Sequence, residues 1–113
     1  MFMRLYTGDD GQSHLEELDM ESGPTSWTEM QKATGITFRS TEPQGKDSVQ
    51  WHTAPRRQYC ITLSGEVEIG LGDGTFHRFG AGDVMLAEDL TGQGHTTRSV
   101  GEGPRVVAYV PVE

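Results

Sequence analysis

The run Gln58-Tyr59-Cys60-Ile61-Thr62-Leu63-Ser64-Gly65-Glu66-Val67-Glu68-Ile69-Gly70-Leu71-Gly72-Asp73-Gly74 decides the fold. Side chains alternate between the two faces of a strand, and here an alternating pattern occurs twice in succession. Tyr59, Ile61 and Leu63 fall on one side and Gln58, Cys60 and Thr62 on the other, the second set small and polar enough to wall a cavity. Gly65 turns the chain, Val67, Ile69 and Leu71 then share a face, and Gly72-Asp73-Gly74 supplies a hairpin turn. Downstream, Thr75 to Phe79 is the return strand, Gly80-Ala81-Gly82 a turn, and Asp83 to Ala87 a buried strand. A polar loop from Glu88 to Gly94 precedes strands from His95 to Val100 and from Pro104 to Val110.

Upstream, Ile36-Thr37-Phe38 opens the alternating region and Pro43 to Asp47 interrupts it. Ser48 to Thr53 reads as a strand with Val49 and Trp51 on one face and Ser48, Gln50 and His52 on the other, ended by Pro55. Seven or eight strands over 36–113 predict an antiparallel all-β jelly roll or barrel. Residues 1–35 read as an irregular N-terminal arm of the same domain. Ser13 to Glu16 and Ser26 to Glu29 have capping-box spacing for a helical turn, but Leu15, Leu18, Trp27 and Met30 read better as anchors laying the arm over a sheet.

Composition agrees with an all-β domain. Of 113 residues, 15 are glycine and 34% are apolar, a balance that suits short strands and many turns over long helices. The net charge of −8 argues against nucleic acid and anionic membranes as partners. No apolar run is long enough for a membrane helix or a signal peptide, so a cytoplasmic setting is expected. The single cysteine, Cys60, forms no internal disulfide, and a small core with exposed strand edges leads us to expect a homodimer. His14, His77 and Arg98 read as surface residues. Trp51, Tyr59, Phe76 and Phe79 read as core or subunit contacts.

Chemistry concentrates at strand ends. His52, Gln58 and His95 converge if the barrel closes, and three such donors suit a divalent metal. Arg56 and Arg57 sit between two of them. At the mouth of a barrel they would grip a carboxylate or phosphate. On a surface turn they would instead pair with acids such as Glu66 or Glu68. Cys60 and Thr62 join the cavity wall. No nucleotide-binding or hydrolase motif occurs.

The run from Trp51 to Gly74, with Phe79 to Arg98, resembles the two motifs of small single-domain cupins over about Val49 to Ser99. His52 and Gly65 match in the first motif, where Ala54 and Gln58 replace a histidine and a glutamate. Gly82 and His95 match in the second, where Ser99 replaces an asparagine. The resemblance implies a cupin-type double-stranded β-helix and a metal set reduced to His52, Gln58 and His95, holding Fe, Mn, Ni or Zn. Glu88 or Asp89 is a candidate to restore the lost negative charge. Three functions follow as expectations: a metal-dependent oxygenase, isomerase or lyase acting on a small, possibly anionic molecule, with Arg56 or Arg57 orienting it; a metal-free small-ligand-binding module; or a structural dimerisation barrel.

Overall fold

A computed structural model of the chain describes residues 1–20, 25–45 and 49–113. Nine strands follow in order: β1 (Phe2–Thr7), β2 (Ser13–Glu17), β3 (Thr37–Thr41), β4 (Gln58–Ser64), β5 (Glu66–Gly70), β6 (Phe76–Phe79), β7 (Val84–Glu88), β8 (Thr96–Val100) and β9 (Arg105–Pro111). No helix is present among the described residues, so none is long and apolar enough to cross a membrane. The strands form a six-stranded sheet ordered β2-β1-β7-β4-β9-β3 and a three-stranded sheet ordered β6-β5-β8.

The fold is all-β, and its sheets remain two separate ladders where a closed barrel was expected. The chain changes sheet at Gly65, between β4 and β5, where φ is +73° and a Cβ would lie 2.7 Å from the Arg105 Cα. Only glycine combines that backbone angle with that close approach. Elsewhere the gap between sheets is crossed by single contacts, such as Gln44 N–H donating to the Ser99 carbonyl at 2.8 Å. β4 also carries an irregularity between Thr62 and Ser64 in its pairing with β9, which bends a strand and increases its twist.

Three expectations are corrected near the N-terminus. Residues 2–17 are not irregular: β1 and β2 form an antiparallel hairpin, and β1 lies parallel to β7 within the main sheet. Trp27 and Met30 do not anchor the arm, since they are 86% and 94% exposed. Neither capping-box string starts a helical turn, because Ser13 to Glu16 is strand and Ser26 to Glu29 has no regular structure. Leu5 on β1 is completely buried, so the hairpin belongs to the core. The described parts of 18–36 have no strand, and Ala33 makes one isolated bridge with Val112.

The segment expected as a strand from Ser48 to Thr53 is corrected too. Ser48 lies outside the described residues, as do Lys46 and Asp47 of the preceding turn. From Val49 onward the only pairing is an isolated bridge between His52 and His95. Alternation alone did not suffice here, since no neighbouring strand supplies a ladder.

Between the sheets the core is formed by Leu5, Val67, Ile69, Leu71, Phe79, Met85 and Val107, with Cys60 and Ala54. Of the four aromatics expected in core or contact positions, Phe79 is core and Tyr59 packs edge-on against Phe2. Phe76 and Trp51 are exposed. On β4 it is the small polar set Gln58, Cys60 and Thr62 that faces inward, while Leu63 faces out.

Candidate ligand-binding cavity

A cavity of about 610 Å³ lies between the sheets. Strand alternation dictates its lining. β4 supplies Gln58 and Cys60, β7 Met85 and Ala87, β9 Arg105 and Tyr109, and β3 Thr37, Arg39 and Thr41. Across from them stand Ile69 of β5 and Thr97 and Ser99 of β8. The irregular stretch containing Trp51, His52, Ala54 and Arg56 completes one end together with His95.

The two histidines meet through backbone and ring. His52 N–H donates to the His95 carbonyl at 3.0 Å and His95 N–H to the His52 carbonyl at 2.8 Å. Their ring centroids are 4.6 Å apart. Gly94 makes this possible: its φ is +81°, and a Cβ there would stand 2.0 Å from the His52 carbonyl oxygen.

Behind His95 is a buried polar relay. His95 is 4% exposed and Asp89 is 0% exposed. His95 Nδ1 donates to Asp89 Oδ2 at 2.5 Å, and Ser13 Oγ donates to the same oxygen at 2.6 Å. The carboxylate thereby fixes the ring and its tautomer, and Nε2 has no hydrogen-bond partner among the described residues. Asp89 is itself held by its carbonyl, which accepts from Ala54 N–H at 3.1 Å. His52 is exposed, and its Nδ1 donates to the Gln50 carbonyl at 3.1 Å.

Charge is partitioned sharply between the cavity and the rest of the chain. Arg4, Arg57, Arg78 and Arg98, all outside the cavity, are paired with glutamates. Arg39, Arg56 and Arg105, all lining it, make no ion pair among the described residues. No aspartate or glutamate lines the cavity among the described residues. Glu88 is committed elsewhere. Burial opposes its ionisation, but hydrogen bonds from Arg4 and Arg57 outweigh that and hold its carboxyl below the usual range. For Cys60, burial pushes the thiol up to about 12, so it is an inert part of the wall.

The structure therefore brings together His52, Gln58, His95, Arg56 and Cys60 from the expected set. Arg57 is turned away: its Nε donates to Glu88 at 2.8 Å and its Nη1 to the Glu113 carbonyl at 2.8 Å. Thr62 is buried beyond the cavity lining, where its Oγ1 accepts from Arg105. Neither Glu88 nor Asp89 reaches the cavity, since Arg4 and Arg57 hold one and Ser13 and His95 the other. Arg98 is not a free surface residue; it pairs with Glu68 at 2.9 Å, both largely buried. Glu66 pairs with Arg78. His14 bonds Asp10 and His77 bonds Thr75 away from the cavity.

Sequence reasoning missed Arg39, Arg105, Asp89 as a partner of His95, and Ser13. The signal for Arg105 was available, because alternation along its strand puts it on the face of Val107 and Tyr109. Arg39 fell just beyond the end assigned to its strand at Phe38. Ser13 is 76 positions from Asp89 and carried no signal. No protein-family model matches this chain, and no curated protein matches it.

Proposed function

We propose that this chain binds a small organic anion in the cavity and transfers a proton on it through His95, on a cupin-type jelly-roll scaffold. The observation that carries the reading is the charge of the cavity. Three guanidinium groups line it without carboxylate partners among the described residues, in a chain of net charge −8. Guanidinium forks match carboxylate and phosphate oxygens in bidentate geometry, so an oxyanion supplies the counter-charge that the lining lacks.

His95 provides the chemistry. A general base must be oriented by a third group and sit within reach of the proton it moves. Asp89 orients His95 through Nδ1, which leaves Nε2 to accept or return a proton on the bound anion. The reaction class is that of isomerases and lyases. The cupin scaffold is supported by the two facing sheets and by His52 and His95 pairing at the two matched motif positions.

A resident divalent ion suits this lining poorly. The expected donors are two imidazoles and the Gln58 amide; further neutral amides and hydroxyls line the cavity, no carboxylate joins them among the described residues, and three guanidiniums share the space. Among the described residues no group of three or more His, Cys, Asp and Glu side chains is arranged to hold a metal. Neutral ligands beside fixed positive charge give low affinity for a dication.

The test is ligand-observed NMR with a panel of small carboxylates and phosphates beside neutral amides of matched shape. Anions are expected to bind and to move the His95 ring resonances. Equal binding by the neutral amides would refute the anion reading. Near-stoichiometric metal in untagged protein would overturn the metal-free assignment.

A further inference from the structure

Of the three cavity arginines, Arg39 and Arg56 are exposed, whereas Arg105 is 5% exposed. The only side-chain hydrogen bond of Arg105 among the described residues is from Nη2 to Thr62 Oγ1 at 3.3 Å, and its Nε–H has no acceptor among them. Arginine does not shed its proton in a protein. A buried guanidinium with neither a counter-ion nor a full set of acceptors is strongly unfavourable, and such an orphaned donor in a cavity wall calls for a ligand.

We infer that Arg105 is the anchor for the anionic group of the ligand, and that this group is a monoanionic carboxylate. The inference rests on the anion-binding reading and specifies where the charge is held. Arg105 is the one buried positive charge of the lining, Arg39 and Arg56 being exposed, so it balances one negative charge at the buried end, where a dianionic phosphate would bring a second with no buried partner among the described residues. The Nε–H and an Nη–H of a guanidinium form the fork that a carboxylate accepts side by side.

Placement also gives the ligand a direction. Gln58 and Thr62 are four residues apart on β4, and His95 and Ser99 are four residues apart along β8 and its entry, a spacing of about 13 Å along a strand. Arg105 is bonded to Thr62 near one end of β4, whereas His95 is bonded to Asp89, two residues past the Ala87 that pairs with Gln58 at the other end. The ligand therefore lies along the cavity, its carboxylate at the buried end and its proton-exchanging group beneath His95. The exposed Arg39 and Arg56 contribute to capture more than to anchoring.

The probe is hexanoate, with hexanamide as its neutral counterpart, titrated into the full chain. Hexanoate is expected to shift the Arg105 Nε–Hε resonance in the unaltered protein, a readout that requires no variant to fold. Arg105→Met is expected to weaken hexanoate binding by about tenfold or more, the usual worth of a bond to a charged group, and Arg105→Lys by less. If hexanoate saturates the protein while the Arg105 Nε–Hε signal stays put, or if Arg105→Met binds within about twofold, the anchor is overturned. In that event, weakening by Arg39→Met with Arg56→Met would leave the anion-binding reading standing. If hexanoate binds no better than hexanamide, both fall together.

Discussion

Replacing Asp89 with alanine removes the one oxygen on which Ser13 and His95 converge. Each of those bonds is made to a charged group in a site that water does not reach. At roughly 1.5–3 kcal/mol per bond, the loss is about 3–6 kcal/mol, a large part of the roughly 5–15 kcal/mol that holds a domain folded. Asp89→Asn keeps the shape and an acceptor but gives up the charge, which about halves such bonds. It is expected to cost about 1.5–3 kcal/mol, and Ser13→Ala a similar amount by the loss of one bond. Because both changes strike one shared oxygen, the double variant Ser13→Ala with Asp89→Asn should fall short of additivity by about 0.5–3 kcal/mol. Urea unfolding followed by circular dichroism is the suitable assay. Trp27 and Trp51 are already 86% and 46% exposed, so fluorescence reports unfolding weakly. A cost below about 1 kcal/mol for Asp89→Ala, or additivity within about 0.3 kcal/mol, would show that the relay is not cooperative.

Three further outcomes are expected. Glu88 has a carboxyl held below the usual range, so the stability it contributes is fully present above its unfolded pKa and is lost as pH falls through the lower folded value; Glu88→Gln should flatten that acid limb, and an unchanged pH profile of urea midpoints would contradict the assignment. Cys60, with its thiol at about 12, should resist iodoacetamide at mildly alkaline pH in the folded protein and react once urea unfolds it; rapid native-state labelling would show that the wall is open. Gly94→Ala forces a left-handed backbone at roughly 1–2 kcal/mol and drives a methyl against the His52 carbonyl. Loss of amide exchange protection at His52 and His95 is expected, and retained protection would mean that the pair is held by something else.

The strands legible in the sequence are those whose partners are near or whose pattern is regular. β4, β5 and β6 follow from alternation and the glycine-bearing turns; the β5–β6 pairing is local, whereas β4 is legible from its regular pattern alone, since its partners β7 and β9 are distant in sequence. β1 was illegible because its pairing with β7 joins Met3 to Met85 across the length of the chain, and nothing local distinguishes such a strand from an anchored arm. The stretch around Trp51 failed in the opposite direction, having the pattern of a strand without a ladder to join. At the site, His52 and His95 could be paired in advance through motif positions. The groups that hold the His95 ring, Asp89 and behind it Ser13, depend on tertiary proximity. The role proposed for Arg105 required knowing that no carboxylate among the described residues forms an ion pair with it.

The separation of charge has a kinetic corollary. On the anion-binding reading, setting the buried Arg105 aside deepens the charge of the remaining chain from −8 to −9, so an incoming anion crosses a net repulsive outer field, softened at the mouth by the exposed Arg39 and Arg56, before it meets the interior charge. Electrolyte damps interactions across exposed surface beyond about 8 Å at physiological ionic strength, yet reaches partly buried groups much less. Moderate added salt should therefore speed ligand entry while scarcely loosening the hold inside, the reverse of the usual behaviour of a positively charged docking surface.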